Sequence, residues 1–175
     1  MTNAPQTAEE NGTVRNMPIT VHAQYIKDVS FENPNAPQSL MVSAGKPDMQ
    51  MNINVGLRDI QDAGMPGGFE VSLRMRAAAK HGEKTAFIVE VEYAASVTVG
   101  EGVPQEAVHP LLMIEVPRLL FPFARQLISA LSQQGGYPAL MIAPVDFQAL
   151  YMQKFAKEIM ESEAQKNAPM AAGAN

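Results

Sequence analysis

Neither cysteine nor tryptophan occurs in this sequence. With no thiol there can be no disulfide, no thiolate nucleophile and no cysteine metal site. No basic cluster appears, and 18 acidic against 13 basic residues leave a formal charge of −5. That balance opposes non-specific binding to nucleic acid or to an anionic membrane. No unbroken apolar run approaches the ~20 residues that span a bilayer, so direct membrane insertion is not expected. Met1–Met17 is polar and acidic and lacks the charged-then-apolar pattern of a secretory signal. These absences predict a cytoplasmic protein. Its 175 residues are enough for one domain burying a little under ~70% of its unfolded surface.

Methionine is abundant beside tyrosine and tryptophan: twelve against four and none. Its unbranched, polarisable side chain suits irregular cores and surfaces that accept varied partners. Met1–Met17 and Ser162–Asn175 are rich in Ala, Asn, Gln, Glu and Gly and lack periodicity, so two disordered tails are expected around a single domain over 18–161. Four alternating segments lie between them. Ile19–Val29 alternates over Ile19, Val21, Ala23 and Tyr25, then blurs near Ile26. Met49–Arg58, Phe69–Ala79 and Thr85–Val97 alternate apolar with polar residues throughout. One wet face on each predicts an antiparallel sheet, because parallel strands buried on both sides read as continuous apolar runs. Gly64–Gly68 and His81–Lys84 read as hairpin connections. Asn33–Pro47 is too long for a hairpin and is expected to cross over apolar surface through Leu40, Met41 and Val42.

Two helices follow the strands, predicting an α+β fold: a four-stranded antiparallel sheet with two C-terminal helices packed on one face. Pro117 to Gln134 is the first, with Pro122 near its start or kinking it and Gly135–Gly136 as its cap. Asp146 caps the second, which runs to about Glu161. On a helical wheel, Leu119, Ala130, Phe123, Leu127, Leu120, Leu131, Ala124, Ile128 and Phe121 fill an arc of about 200°. The second helix carries an arc of similar width through Phe147, Tyr151, Phe155 and Met152. One core needs roughly 100° of apolar stripe. The surplus implies a second subunit, an apolar ligand, or both.

Catalytic chemistry has little support. His22, His81 and His109 share no metal-ligand spacing, and Gly100–Glu101–Gly102 lacks the third glycine and the helix of a phosphate loop. No cofactor or nucleotide site is expected. Glu90 and Glu92 share the polar face of the fourth segment with Ile88. They read as a solvated sheet face or as an acidic platform with an apolar centre.

Three strings carry a resemblance. Lys27–Pro37 (KDVSFENPNAP) is similar to the first-strand motif of the SecB protein-export chaperones, Pro117–Arg125 (PRLLFPFAR) to their first-helix motif, and Tyr137–Tyr151 to the link into their second helix. The likeness covers about Val21 to Phe155. It implies a SecB-like fold assembled as a homotetramer, a dimer of dimers, with Leu120, Phe123, Leu127 and Leu131 between subunits. Unfolded presecretory proteins would occupy a groove lined by Met49, Met51, Ile53, Leu150 and Met152. Asp28, Glu32, Ile88 and Glu90 would meet the basic, zinc-bearing C-terminal tail of the SecA translocation motor. Gly45 stands where relatives often carry a tryptophan. The implied function is an ATP-independent holdase, not an enzyme. A small-molecule site in the same cleft would need convergent polar groups, and none is apparent. An oligomeric scaffold would assemble yet be indifferent to a client's folded state.

Overall fold

The structure, a computed structural model, describes residues 18–41, 45–61 and 64–166, with side chains of the last helix as far as Ala156. Strands β1 (Ile19–Glu32), β2 (Asp48–Asp59), β3 (Gly68–His81) and β4 (Lys84–Val99) form one antiparallel sheet in the order β1-β4-β3-β2. Two helices follow, α1 (Gln105–Gln134) and α2 (Phe147–Lys166). The chain passes from β1 on one sheet edge to β2 on the other through 33–47, the expected crossover. A short 3-10 turn, Gln38–Leu40, interrupts it. Val42 lies outside the described residues.

Alternation sorts side chains between two sheet faces. Val71, Leu73, Met75 and Ala77 of β3 and Val89, Val91, Ala95 and Val97 of β4 are wholly buried. Leu112, Val116, Leu120, Ala124 and Ile128 of α1 cover them and are equally buried. Helix α2 docks mainly against α1, with Phe147 closing the cluster.

Strand β1 departs from the simple alternation. Its pairing with β4 slips between Val21 and Ala23 and again between Ile26 and Asp28. Each extra residue reverses which face the following side chains occupy. Between the two bulges Gln24 and Ile26 therefore take the helix side, while Ala23 and Tyr25 turn to the open face. The blur near Ile26 is the trace of the second bulge.

Helix α1 starts at Gln105, well before the expected Pro117, and contains Pro110, Pro117 and Pro122. Each proline removes a backbone donor and disfavours helix. Here the burial of Leu112, Met113, Val116 and Pro117 against the sheet outweighs that local penalty. By length and mean hydropathy the helix could cross a membrane, although it holds no unbroken apolar run of that length. Glu115, Arg118 and Arg125 interrupt the run in sequence, and the apolar side that remains packs on the sheet.

The C-terminus of α1 follows the double glycine. Tyr137 N–H donates to the Ser132 carbonyl (3.0 Å) and Gly136 N–H to that of Gln133 (3.0 Å), with Gly136 at φ 89°. This is a Schellman cap, which requires the left-handed conformation at Gly136. Gly135 is needed for space: a Cβ there would lie 2.1 Å from Phe31 Cζ. Phe31 stacks on Phe87 (5.7 Å), which meets Tyr137 (4.6 Å), so one aromatic row seats the cap and the crossover together. Asp146 caps α2 as expected, its Oδ1 accepting from Ala149 N–H at 2.9 Å. Of the anticipated C-terminal tail, 162–166 continue α2 instead. The remainder, and 1–17, fall outside the described residues.

Candidate functional site

The helix side of β2 is only partly covered. In register, Met49, Met51, Ile53, Val55 and Leu57 face the same way as the buried Ala79, Ala77, Met75, Leu73 and Val71. Yet Met49 and Met51 remain 41% and 40% exposed, because α1 lies over β3 and β4 and stops short of this edge. A cleft of about 200 Å3 opens between β2 and α2, with Ile53 and Val55 on one wall and Leu150, Tyr151 and Phe155 on the other. A second, of about 420 Å3, lies under the crossover, where Met49 meets Leu40, Met41 and Leu140. Met51 sits between the two, about 7 Å along the strand from each neighbour. The edge is thus one apolar groove with two deeper ends.

Of the five groove residues expected from sequence, Ile53 and Leu150 face each other, Met49 lines the far end, and Met51 joins them. Met152 does not line either cleft; it is exposed on another side of α2. Tyr151 and Phe155 come from the wide apolar arc of the second helix, whereas Lys154 and Met113 were not anticipated. Lys154 Nζ reaches Asn54 Oδ1 (3.2 Å) and the Val55 carbonyl (3.3 Å), bridging α2 to the sheet edge. His109 Nδ1 lies 3.0 Å from the Tyr151 hydroxyl, and its ring meets Phe155 edge-on at 5.0 Å, tying α2 to α1. These are contacts between distant segments with no local sequence signal. Among the described residues, no group of three His, Asp or Glu is placed to hold a metal.

The surplus arc of α1 resolves into two parts. Leu120 is fully buried against the chain's own sheet and is withdrawn from the inter-subunit set, since it has no surface to offer. Phe123 is 49% exposed and stacks on Tyr93 at 5.6 Å. Leu127 and Leu131 are half-buried beside it, and Ile26 and Val29 of β1 extend the bare apolar strip across the helix side of the sheet edge.

Among the described residues, no helix covers the opposite face. Its charges fall in lanes along the strands. Glu32, Ser30 and Asp28 of β1 lie beside Ile88, Glu90 and Glu92 of β4, and these beside Ala78, Arg76 and Arg74 of β3. Gln50, Asn52 and Asn54 of β2 complete the rows. Asp28, Glu32, Ile88 and Glu90 thus share one patch. It is not purely acidic: Glu90 lies 3.4 Å from Arg74 and 3.6 Å from Arg76, and Glu92 lies 2.9 Å from Arg74 and 3.7 Å from Lys27.

Farther along this face Glu70 of β3 is only 6% exposed. Lys27 Nζ (2.5 Å), the Tyr25 hydroxyl (2.6 Å) and Arg58 Nη2 (2.9 Å) all donate to its carboxylate. Tyr25 and Lys27 reach it across Ala94 and Ser96, whose small side chains leave β4 low at this point. Burial alone would push the Glu70 carboxyl up, but these hydrogen bonds and the Lys27 charge hold it down at about 2. Burial and the bond to Glu70 push the Tyr25 phenol up to about 12. A carboxyl whose pKa is lowered by folding stabilises above its unfolded value and loses that contribution as pH falls through the folded one. Between about pH 4.3 and pH 2 the protein should lose on the order of 2–3 kcal/mol through Glu70. The Glu70→Gln variant should lack that segment of the curve. Urea midpoints at about pH 6 and about pH 3 measure it; parallel curves for the two proteins would refute it.

A half-open, mainly apolar groove, rimmed by Asn54, Gln153 and Lys154, on a body whose long helix keeps a bare stripe, is the surface that a chaperone holding extended chain requires. The family model described as preprotein translocase subunit SecB matches residues 13–158. The protein-export protein SecB of Rhodospirillum centenum is 46% identical over 85% of this chain and 86% of its own. That of Afipia carboxidovorans is 45% identical over 85% and 89%. The SecB-like chaperone of Mycobacterium tuberculosis, solved in complex with a peptide from an antitoxin, shares the fold at TM-score 0.59 and 12% identity, over 73% of this chain and 91% of that one. The chain belongs to the SecB family.

Proposed function

We infer that this chain is an ATP-independent holdase that keeps presecretory proteins unfolded in the cytoplasm and delivers them to SecA. The observation that carries the reading is the β2 edge, where Met49 and Met51 stay uncovered on the side of the sheet whose central strands, β3 and β4, form the core. An unfolded segment contributes roughly 1.5–3 kcal/mol for each large apolar side chain it fully buries. Four or five such contacts offset the cost of ordering the segment. Methionine stems repack with little strain, so one groove accepts many sequences. A binder of this kind delays folding without driving it and needs no cofactor, no catalytic group and no nucleic acid.

The single SecB-like domain over 18–161 forms a homotetramer, a dimer of dimers. Phe123, Leu127 and Leu131, with Ile26 and Val29, supply the apolar strip that a second subunit covers. Asp28, Glu32, Ile88 and Glu90 receive the basic, zinc-bearing tail of SecA, which is where the client is handed over. Light scattering of the purified protein, with a reduced unfolded client and with its native form, tests the reading. Assembly plus selective capture of the unfolded form supports it; indifference to folded state refutes it.

The division of labour is separable. Glu90→Lys sets a cation beside Arg74 and Arg76 and should weaken binding of the zinc-loaded tail peptide about tenfold. Suppression of client aggregation should persist. Equal loss of both activities would show that the two faces are not independent.

A further inference from the structure

The sheet's open face reads from sequence as either a solvated face or an acidic platform, and the lanes make it something more selective. Two acidic lanes, on β1 and β4, run directly beside a basic lane on β3, and beyond that lies a neutral amide lane on β2. Within the acidic pair the charges are not equivalent. Glu90 and Glu92 are already engaged by Arg74 and Arg76. They are partly sheltered, with side chains 24% and 13% exposed, while the arginines are about half exposed at 51% and 47%. Asp28 and Glu32 are exposed on the sheet edge.

We propose that Arg74 and Arg76 act as a built-in competitor that weakens the docking of the basic SecA tail and confines it to the β1–β4 lane. This rests on the tail-binding reading above. A lysine or arginine of the incoming tail must displace a guanidinium from Glu90 or Glu92 before it can pair there. At β3 the tail meets like charge, which closes that side. The β1 carboxylates remain available for the first encounter, so approach is fast while the bound state stays reversible. A carrier that must release its client and leave the motor gains from such a tempered contact.

Binding of a zinc-loaded synthetic SecA tail peptide, followed by titration calorimetry at several salt concentrations, tests this on the full-length protein. Arg74→Gln/Arg76→Gln should bind roughly three- to tenfold tighter at low salt, as expected for removing three partly exposed ion pairs from the free state. Its salt dependence should be steeper, because more of the acidic charge is then available to the tail. Arg76→Gln alone should give a smaller change in the same direction, and it guards against a fold defect in the double variant. Client holding should be unchanged in both. Unchanged or weaker tail binding in these variants overturns the competitor role. Asp28→Asn/Glu32→Gln separates that failure from failure of the underlying reading. If tail affinity survives this variant intact, the tail does not dock on this face at all.

Discussion

Ile53→Asp combined with Leu150→Asp should abolish suppression of client aggregation while the assembled protein remains folded. The two side chains face each other across the narrow end of the groove, one on the sheet edge and one on α2. Both are half-buried in the uncovered protein, so new carboxylates there keep access to water and the fold tolerates them. A bound client changes that. It seals the cleft over two unpaired charges, and each buried charge without a partner costs several kcal/mol. Every 1.4 kcal/mol lost is a factor of ten in affinity, so a loss of at least about a hundredfold is expected. Light scattering gives client aggregation and particle size in the same sample. Full holding activity by an intact assembly would mean that clients bind elsewhere.

Phe147→Ala should lower stability by about 3–5 kcal/mol, the usual cost of emptying a buried phenylalanine site. Phe147 is 2% exposed, meets Phe121 of α1 edge-on at 5.9 Å and lines the same cleft. It is the first residue of α2, directly after the Asp146 cap, so the cap's hydrogen bond survives the substitution while the anchor is lost. A urea midpoint well below wild type is expected, with Phe147→Leu restoring much of it because most of the volume returns. A midpoint equal to wild type would show that α2 is not part of the cooperative core. The same variant should hold client less well, since one wall of the groove is then poorly fixed.

Strand positions, hairpins and both helix caps were legible because each has a local physical cause. Alternation places β2, β3 and β4 to within a residue or two, and the double glycine and Asp146 mark helix ends by the conformation or hydrogen bond they supply. The N-terminal half of α1 was not legible. Pro110 and Pro117 argue against helix locally, and only burial on the sheet reverses the outcome. The period-two spacing that groups Tyr25 with Ile19, Val21 and Ala23 puts all four on one face only in the absence of a bulge. The slip after Val21 is set by pairing with β4, a partner about seventy residues away in sequence. Leu120 illustrates the same limit. A helical wheel shows that an arc is too wide for one core, but not which edge of it meets the sheet.

The pattern of apolar residues along the chain therefore determined by itself that there is a sheet with one wet face, two over-apolar helices and more greasy surface than one subunit can bury. Those are local or one-dimensional properties, written in periods of two and 3.6. Where the uncovered surface lies was decided in three dimensions, by α1 settling over β3 and β4 and leaving Met49 and Met51 bare. The charge lanes of the open face were decided there too. Glu90, Arg74 and Arg76 are neighbours only because the β3–β4 register aligns them, and register is a property of pairing rather than of either strand alone.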